Sequence, residues 1–167
     1  MFWYIIHVRH NMGKSLVESL NRDSKLQAFI PKIEKWCSAS HVKEYFIQDL
    51  YSDYIFIKTY LNRDEFYEIY NDFLLSIDGV ASMLEYHDVY ALNDEEQLLM
   101  EKLFNQECVI KHSIGNIVNS KLIVDRGPLV NLEDKVVKID RHRRTATLKD
   151  SFFNGIFKVP LEVISKT

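Results

Sequence analysis

Ile123-Val124-Asp125-Arg126-Gly127-Pro128-Leu129, followed by Val136-Val137-Lys138-Ile139-Asp140-Arg141-His142-Arg143-Arg144-Thr145-Ala146-Thr147-Leu148, is the stretch that decides how the chain is read. Gly127-Pro128 signals a sharp turn, since glycine permits a positive φ and proline pre-sets its own. Val137, Ile139 and the Thr145–Leu148 segment alternate or branch at Cβ, as half-buried strands do. Arg141, His142, Arg143 and Arg144 sit between those strands. Such residues at a hairpin tip are costly to bury, so they are expected to project into water or onto an anion. A solvated turn is the ordinary reading of a charge run. Against it stands the acidity of the rest of the chain.

The 167 residues carry a formal charge of −3, but unevenly. Residues 1–108 hold 10 basic and 18 acidic side chains, a net of −8; residues 109–167 hold 11 and 6, a net of +5. Such a split suggests a nucleic-acid-binding part joined to a part with another task. With 47% hydrophobic residues, the chain can build a core for one domain or two small ones. Cys37 and Cys108 form no CxxC pair and suit a reducing cytoplasm. The apolar opening, MFWYIIHVRH, is too short for a signal peptide or a membrane span and reads as a strand. A soluble cytoplasmic monomer with no membrane partner is expected.

Along the chain, Phe2–Val8 has the composition of a buried strand, and Leu16, Val17 and Leu20 recur at helical spacing within 14–22. Residues 27–33 read as a strand placed at an edge or bulged, because Pro31 lacks a ladder donor. Residues 42–47 and 54–59 read as further strands. Asn62 with Glu65 forms a capping-box pattern, followed by an apolar face of Phe66, Ile69, Tyr70, Phe73 and Leu74 that runs to Ile77-Asp78-Gly79. Residues 80–86 read as a strand. Asn93 with Glu96 repeats the cap signal ahead of Leu99, Leu103 and Phe104. The expected organisation is a first domain over 1–106, a linker at 107–116, and a small all-β module over 117–167.

No catalytic or metal constellation is present. His7 and His10 stand three apart on a strand-like segment and so face opposite sides, while His41, His87 and His112 are scattered. The nucleotide-binding, nucleophile-elbow and zinc-protease motifs are absent. A binding protein without metal or cofactor is expected, not an enzyme.

Several segments together resemble one family. Trp3-Tyr4-Ile5-Ile6 looks like the opening of a NusG N-terminal domain, and Phe29-Ile30-Pro31-Lys32 is similar to that family's F-x-P strand. Leu50 to Ile57 resembles its F-P-G-Y-V-F-V segment, with Ser52-Asp53 in place of Pro-Gly. Gly127-Pro128-Leu129 with the strand ending Ile139-Asp140 resembles a KOW motif, with Asn131 and Asp134 where glycines are usual. Asn and Asp tolerate left-handed backbone, so the turn can survive there. Within the family, Lys138–Leu148, the helix at 92–103 and the terminal L-E-V-I-S-K look most like the specialised LoaP paralogues.

The resemblance implies an α+β fold: an antiparallel NusG N-terminal sheet flanked by helices, then an SH3-like KOW barrel. It implies processive antitermination through two partners, RNA polymerase and an RNA hairpin in a leader transcript. Trp3, Tyr51, Tyr54 and Phe56 are the expected contacts to the clamp helices of the polymerase β′ subunit, on an exposed aromatic face. Lys135, Lys138, Arg141, His142, Arg143, Arg144 and Lys149 are the expected RNA contacts, since the basic tip can bind phosphates and read guanine edges. The alternative is a general elongation or transcription–translation coupling factor whose KOW domain binds protein, with Phe152 and Phe153 as the apolar pair. A ribosome-associated KOW protein is disfavoured by the acidic first half, which ribosomal RNA would repel.

Overall fold

The computed structural model describes residues 1–8, 12–38, 42–76, 89–149 and 156–167. The chain packs as two compact units, residues 1–31 with 49–97 and residues 32–48 with 98–167.

The first unit contains β1 (Phe2–His7), α1 (Gly13–Leu20), β2 (Leu26–Phe29), β5 (Tyr54–Thr59), α2 (Arg63–Leu75) and β6 (Val89–Ala91). Its sheet is antiparallel throughout, in the order β2-β5-β1-β6. Strand alternation puts Tyr4, Ile6, Ala28, Ile55 and Ile57 on the face that packs on Leu16 and Leu20 of α1 and Phe66, Tyr70 and Leu74 of α2. Phe66 stacks on Tyr4 with centroids 4.2 Å apart. The predicted capping box is complete: Glu65 N–H donates to Asn62 Oδ1 at 3.1 Å, and Asn62 N–H donates to Glu65 Oε2 at 2.8 Å. On α2, Phe66, Tyr70 and Leu74 are buried while Ile69 and Phe73 are exposed. Tyr70 donates to Asp23 at 2.6 Å, tying α2 to the turn before β2. The expected helix end at 77–79 and the strand at 80–86 lie outside the described residues.

The second unit contains β3 (Lys32–Cys37), β4 (Glu44–Asp49), β7 (Val109–Ile110), β8 (Ser113–Val118), β9 (Lys121–Arg126), β10 (Val136–Asp140), β11 (Thr145–Lys149) and β12 (Ile156–Lys166). Pro31 splits the expected 27–33 strand into β2 and β3, because proline offers no ladder hydrogen at that point. The three strands β4, β3 and β7 form one sheet. The segment expected as a linker, 107–116, holds β7 and the start of β8. α3 (Asp94–Leu103) opens with a second complete capping box, Asn93 exchanging hydrogen bonds with Glu96 at 3.0 Å each way. Leu99, Met100 and Leu103 form its buried stripe.

The remaining strands form a five-stranded sheet in the order β10-β11-β12-β8-β9. β12 is its spine, antiparallel to β11 and parallel to β8. Ala146, Leu148, Phe157, Val159 and Leu161 are buried on one face. Among the described residues no ladder joins β9 to β10, so the strands make a sheet with two ends where a closed barrel was expected. The Gly127-Pro128 turn behaves as its sequence predicts. Gly127 has φ +103°, and Asn131 takes the left-handed value of +62° that an asparagine tolerates.

Glu34 on β3 anchors the second unit. Its Oε2 accepts from His112 N–H at 2.7 Å and lies 2.6 Å from His112 Nδ1, and its Oε1 lies 3.2 Å from Lys111 Nζ. A carboxylate only accepts, so Nδ1 carries the proton. The His112 ring stacks on Tyr45 of β4 at 4.0 Å and 3°. Partial burial pushes the Glu34 carboxyl up, but the hydrogen bonds from His112 and Lys111 outweigh it and hold the group below its ordinary value.

Two stability predictions follow from these contacts. A Cβ on Gly127 would lie 2.5 Å from Ser113 Cα in a backbone conformation side chains rarely adopt. Gly127→Ala is expected to cost about 1–3 kcal/mol in urea unfolding, and an unchanged midpoint would show that the turn yields. For Glu34 the folded carboxyl is the stronger acid, so its stabilisation is full above the ordinary glutamate range. It is lost as pH falls through the lowered folded value. Glu34→Gln should therefore be less stable than the parent at neutral pH and should lose less on acidification. Parallel stability–pH curves for the two proteins would refute this role.

Candidate functional site

In the first unit, β1 and β5 share a second face bearing Trp3, Ile5, His7, Tyr54, Phe56 and Lys58, paired in register. Its middle is closed. Trp3 and Phe56 are 1% and 0% exposed, which corrects their expected place on an exposed aromatic surface. They pack edge-on at 6.5 Å, with Phe29 against both, and Lys58 Nζ sits 4.4 Å above the Trp3 ring. Large rings gain more from mutual burial than from water, so the centre of this face is core.

The end of the same face is different. Tyr54 is half-buried, stacks on His7 at 4.8 Å and meets the edge of Tyr51 at 5.8 Å. The Leu50–Asp53 turn holds this corner through Val8 N–H donating to Asp53 O at 2.8 Å and Leu50 N–H donating to Pro31 O at 2.8 Å. Burial, then the neighbouring Tyr54, pushes the Tyr51 hydroxyl up. The corner thus presents two half-buried tyrosine rings side by side.

In the second unit, the predicted basic tip is the four-residue turn 141–144 between β10 and β11. Arg141, His142 and Arg143 are exposed. Asp140 organises them: its Oδ1 accepts from Arg143 N–H at 2.9 Å, and Arg143 Nε lies 3.9 Å from its other oxygen. The Arg143 amide hydrogen bond, foremost, holds the Asp140 carboxyl below its ordinary value.

Arg144 does not project with them, which corrects its expected place on the free tip. It has a left-handed φ of +51°. Nη1 lies 2.6 Å from Glu162 Oε1 on β12, and the guanidinium carbon lies 3.6 Å from the Trp36 ring centroid and 5.8 Å from that of Tyr45. Leu161 N–H donates to Arg144 O at 2.9 Å. A guanidinium with an ion pair at its edge and an aromatic ring at its face is a structural cation.

Beside the tip lies a cleft of about 540 Å³ lined by Lys138, His142 and Arg143 of the expected set, together with Lys35, Trp36 and Lys158. Lys135, Arg141 and Lys149 do not line it. Lys135 is half-buried at the end of a short 3-10 helix (Glu133–Lys135), and Lys149 is exposed at the end of β11. Lys35, Trp36 and Lys158 were not legible as site residues. The available signal was Trp36 directly after Lys35 in an otherwise acidic half, but nothing local says that β3 packs with strands beyond residue 108. Phe152 and Phe153 lie outside the described residues. Among the described residues no three His, Cys, Asp or Glu side chains are grouped to hold a metal, and no helix is long and apolar enough to cross a membrane.

No curated protein matches the chain. The family model described as transcription termination factor nusG matches residues 1–102. That span includes the antiparallel sheet, its helices and the tyrosine corner, and it exceeds half of the 167 residues. The chain belongs to the NusG family.

Proposed function

We propose that this chain is an antiterminating transcription elongation factor that holds RNA polymerase through the Tyr51–Tyr54 corner and an RNA hairpin through the exposed tip. The family match supports transcription elongation and termination as the process and RNA polymerase as one partner. The observation that carries the RNA part is the tip itself. Arg141, His142 and Arg143 stand exposed on a turn whose base is fixed by Asp140 and Arg144, so three cationic or hydrogen-bonding groups are presented on a rigid support. Of the other cations in this region, Lys138 shares the cleft with the tip, whereas Lys135 and Lys149 would contribute a more diffuse attraction.

On this reading the five-stranded sheet of β8–β12 serves as the KOW module. The Lys138–Leu148 pattern and the terminal L-E-V-I-S-K favour a LoaP-type paralogue, which acts on chosen operons in the cytoplasm. Bridging the polymerase clamp would suppress pausing, and hairpin binding would recruit the factor.

Two measurements test these contacts. Tyr51→Ala with Tyr54→Ala is expected to abolish capture of RNA polymerase while leaving cooperative unfolding intact, since both rings are only half-buried and neither belongs to the buried cluster under the sheet. Retained capture would remove the corner from the interface. For the tip, Arg141→Ala and Arg143→Ala should each weaken binding to a leader hairpin and flatten the slope of log affinity against log salt by roughly one unit. Arg144→Ala should instead lower the Tm. A tip double variant that binds hairpin RNA like the parent would favour a general factor whose C-terminal strands bind protein.

A further inference from the structure

β10, β11 and β12 bury one face and leave the other open to the cleft. On the open face, register places Lys138 opposite Thr147 and Thr147 opposite Lys158. The result is a Lys–Thr–Lys row across three neighbouring strands, with both lysines exposed and the threonine half-buried. Adjacent strands lie about 4.8 Å apart, so the two lysine stems start about 10 Å apart and bracket the hydroxyl. Lys35 and Trp36 of β3 wall the same cleft. One face of the Trp36 ring is taken by the Arg144 guanidinium at 3.6 Å, and the ring is half-buried, so part of it remains at the cleft surface. Asp140 also lines the cleft, but its charge is already matched by the Arg143 amide and guanidinium.

We propose that this cleft takes an unpaired nucleotide of an RNA strand, with the base against Trp36 and the flanking phosphates on Lys35, Lys138 and Lys158. The proposal rests on the reading of the chain as an RNA-binding factor and adds to it a contact for single-stranded RNA beside the tip. Three observations carry it. The volume is of the size that encloses a small organic group. Three of the lining cations, Lys35, Lys138 and Lys158, are lysines, which serve phosphates as flexible point charges, and the neighbouring Arg144 guanidinium is engaged by Glu162. An aromatic ring beside a cationic track, with a hydroxyl able to reach sugar or phosphate, is the arrangement that binds stacked, unpaired bases. Arg144 is then a positioning residue, holding the ring that the base meets.

The chain contains two tryptophans, and the other, Trp3, is buried in the first unit. Base stacking should therefore be read from Trp36 emission in the full-length protein. The probe is a single-stranded RNA of about 12 nucleotides, within the span such grooves accommodate. It is compared with an abasic strand of equal length, a duplex, and polyglutamate. Saturable quenching is expected with the single strand and not with the other three. Trp36→Leu should weaken that binding at least about fivefold, and Trp36→Phe, measured by anisotropy, should largely restore it. Because Trp36→Leu also loosens Arg144, a second variant supports the test: Lys138→Ala with Lys158→Ala, both exposed, should flatten the salt slope by about 0.7 per lysine. Three results would overturn the proposal. Single-stranded RNA could bind without quenching and without sensitivity to the lysine pair while Arg141→Ala and Arg143→Ala weaken it; the tip reading would then stand alone. Equal quenching by polyglutamate would make the cleft a site for acidic protein. No binding of any RNA, hairpin included, would remove both readings.

Discussion

The guanidinium of Arg144 is the contact on which the second unit's functional surface depends. Its hydrogen-bonding edge meets Glu162 of β12, its flat face meets Trp36 of β3, and its backbone carbonyl accepts from Leu161. One residue at the end of a turn thus fixes the turn to the sheet's spine and to a strand more than a hundred residues earlier. A lysine could set its ammonium over the ring, as Lys58 does on Trp3, but could not at the same time present a planar fork to the carboxylate. The left-handed backbone at Arg144 is a small local cost offset by these contacts. With that anchor in place, Arg141, His142 and Arg143 are presented together.

Much of the first unit was legible because its signals are local. Both capping boxes were readable as Asn followed three residues later by Glu, and both form. The Tyr54–Thr59 strand was predicted at its observed limits, and the alternation that separates Tyr54 and Phe56 from Ile55 and Ile57 was read correctly. What the pattern could not say was that both faces of β5 are covered. Period-two alternation distinguishes faces, not their surroundings, so Trp3 and Phe56 were placed on a surface although they are core. The Gly127-Pro128 turn and the left-handed Asn131 were also legible, since they depend on a few residues' own backbone preferences.

The remaining misreadings have one cause: contacts distant in sequence. Arg144 looks like its neighbours in a run of basic residues, and only the arrival of Trp36 and Glu162 sets it apart. Lys35 and Trp36 fall beyond the strand expected at 27–33, and nothing marks them until β3 is seen beside strands from the far end of the chain. The expected linker at 107–116 looked irregular because it is polar, yet β7 finds its partner in β3 through Lys32–Val109 pairing. Short strands carry too little local signal to declare themselves, and their partners supply the rest. Charge asymmetry was a better guide, because it required no knowledge of pairing. It pointed to the C-terminal region, where the tip and most of the cleft's lysines lie.

The double pairing of β12 has a kinetic meaning. β8–β9 and β10–β11 are hairpins closed by short connections, and such units form in roughly 1–10 μs. Among the described residues neither hairpin pairs with the other. They are joined only when residues 156–160 dock on β11 and residues 161–166 dock on β8, which brings Leu161 beside Ser113 across a long loop of chain. Non-local closure of that kind is slow relative to hairpin formation and is rewarded only once the loop entropy has been met. The sheet should therefore assemble late and all at once around β12. The ion pair between Arg144 and Glu162, which spans the same junction, belongs to that final event. Until it occurs, the edges of β8 and β11 remain exposed, so the rate of β12 docking sets how long the nascent sheet is open to pairing with another chain.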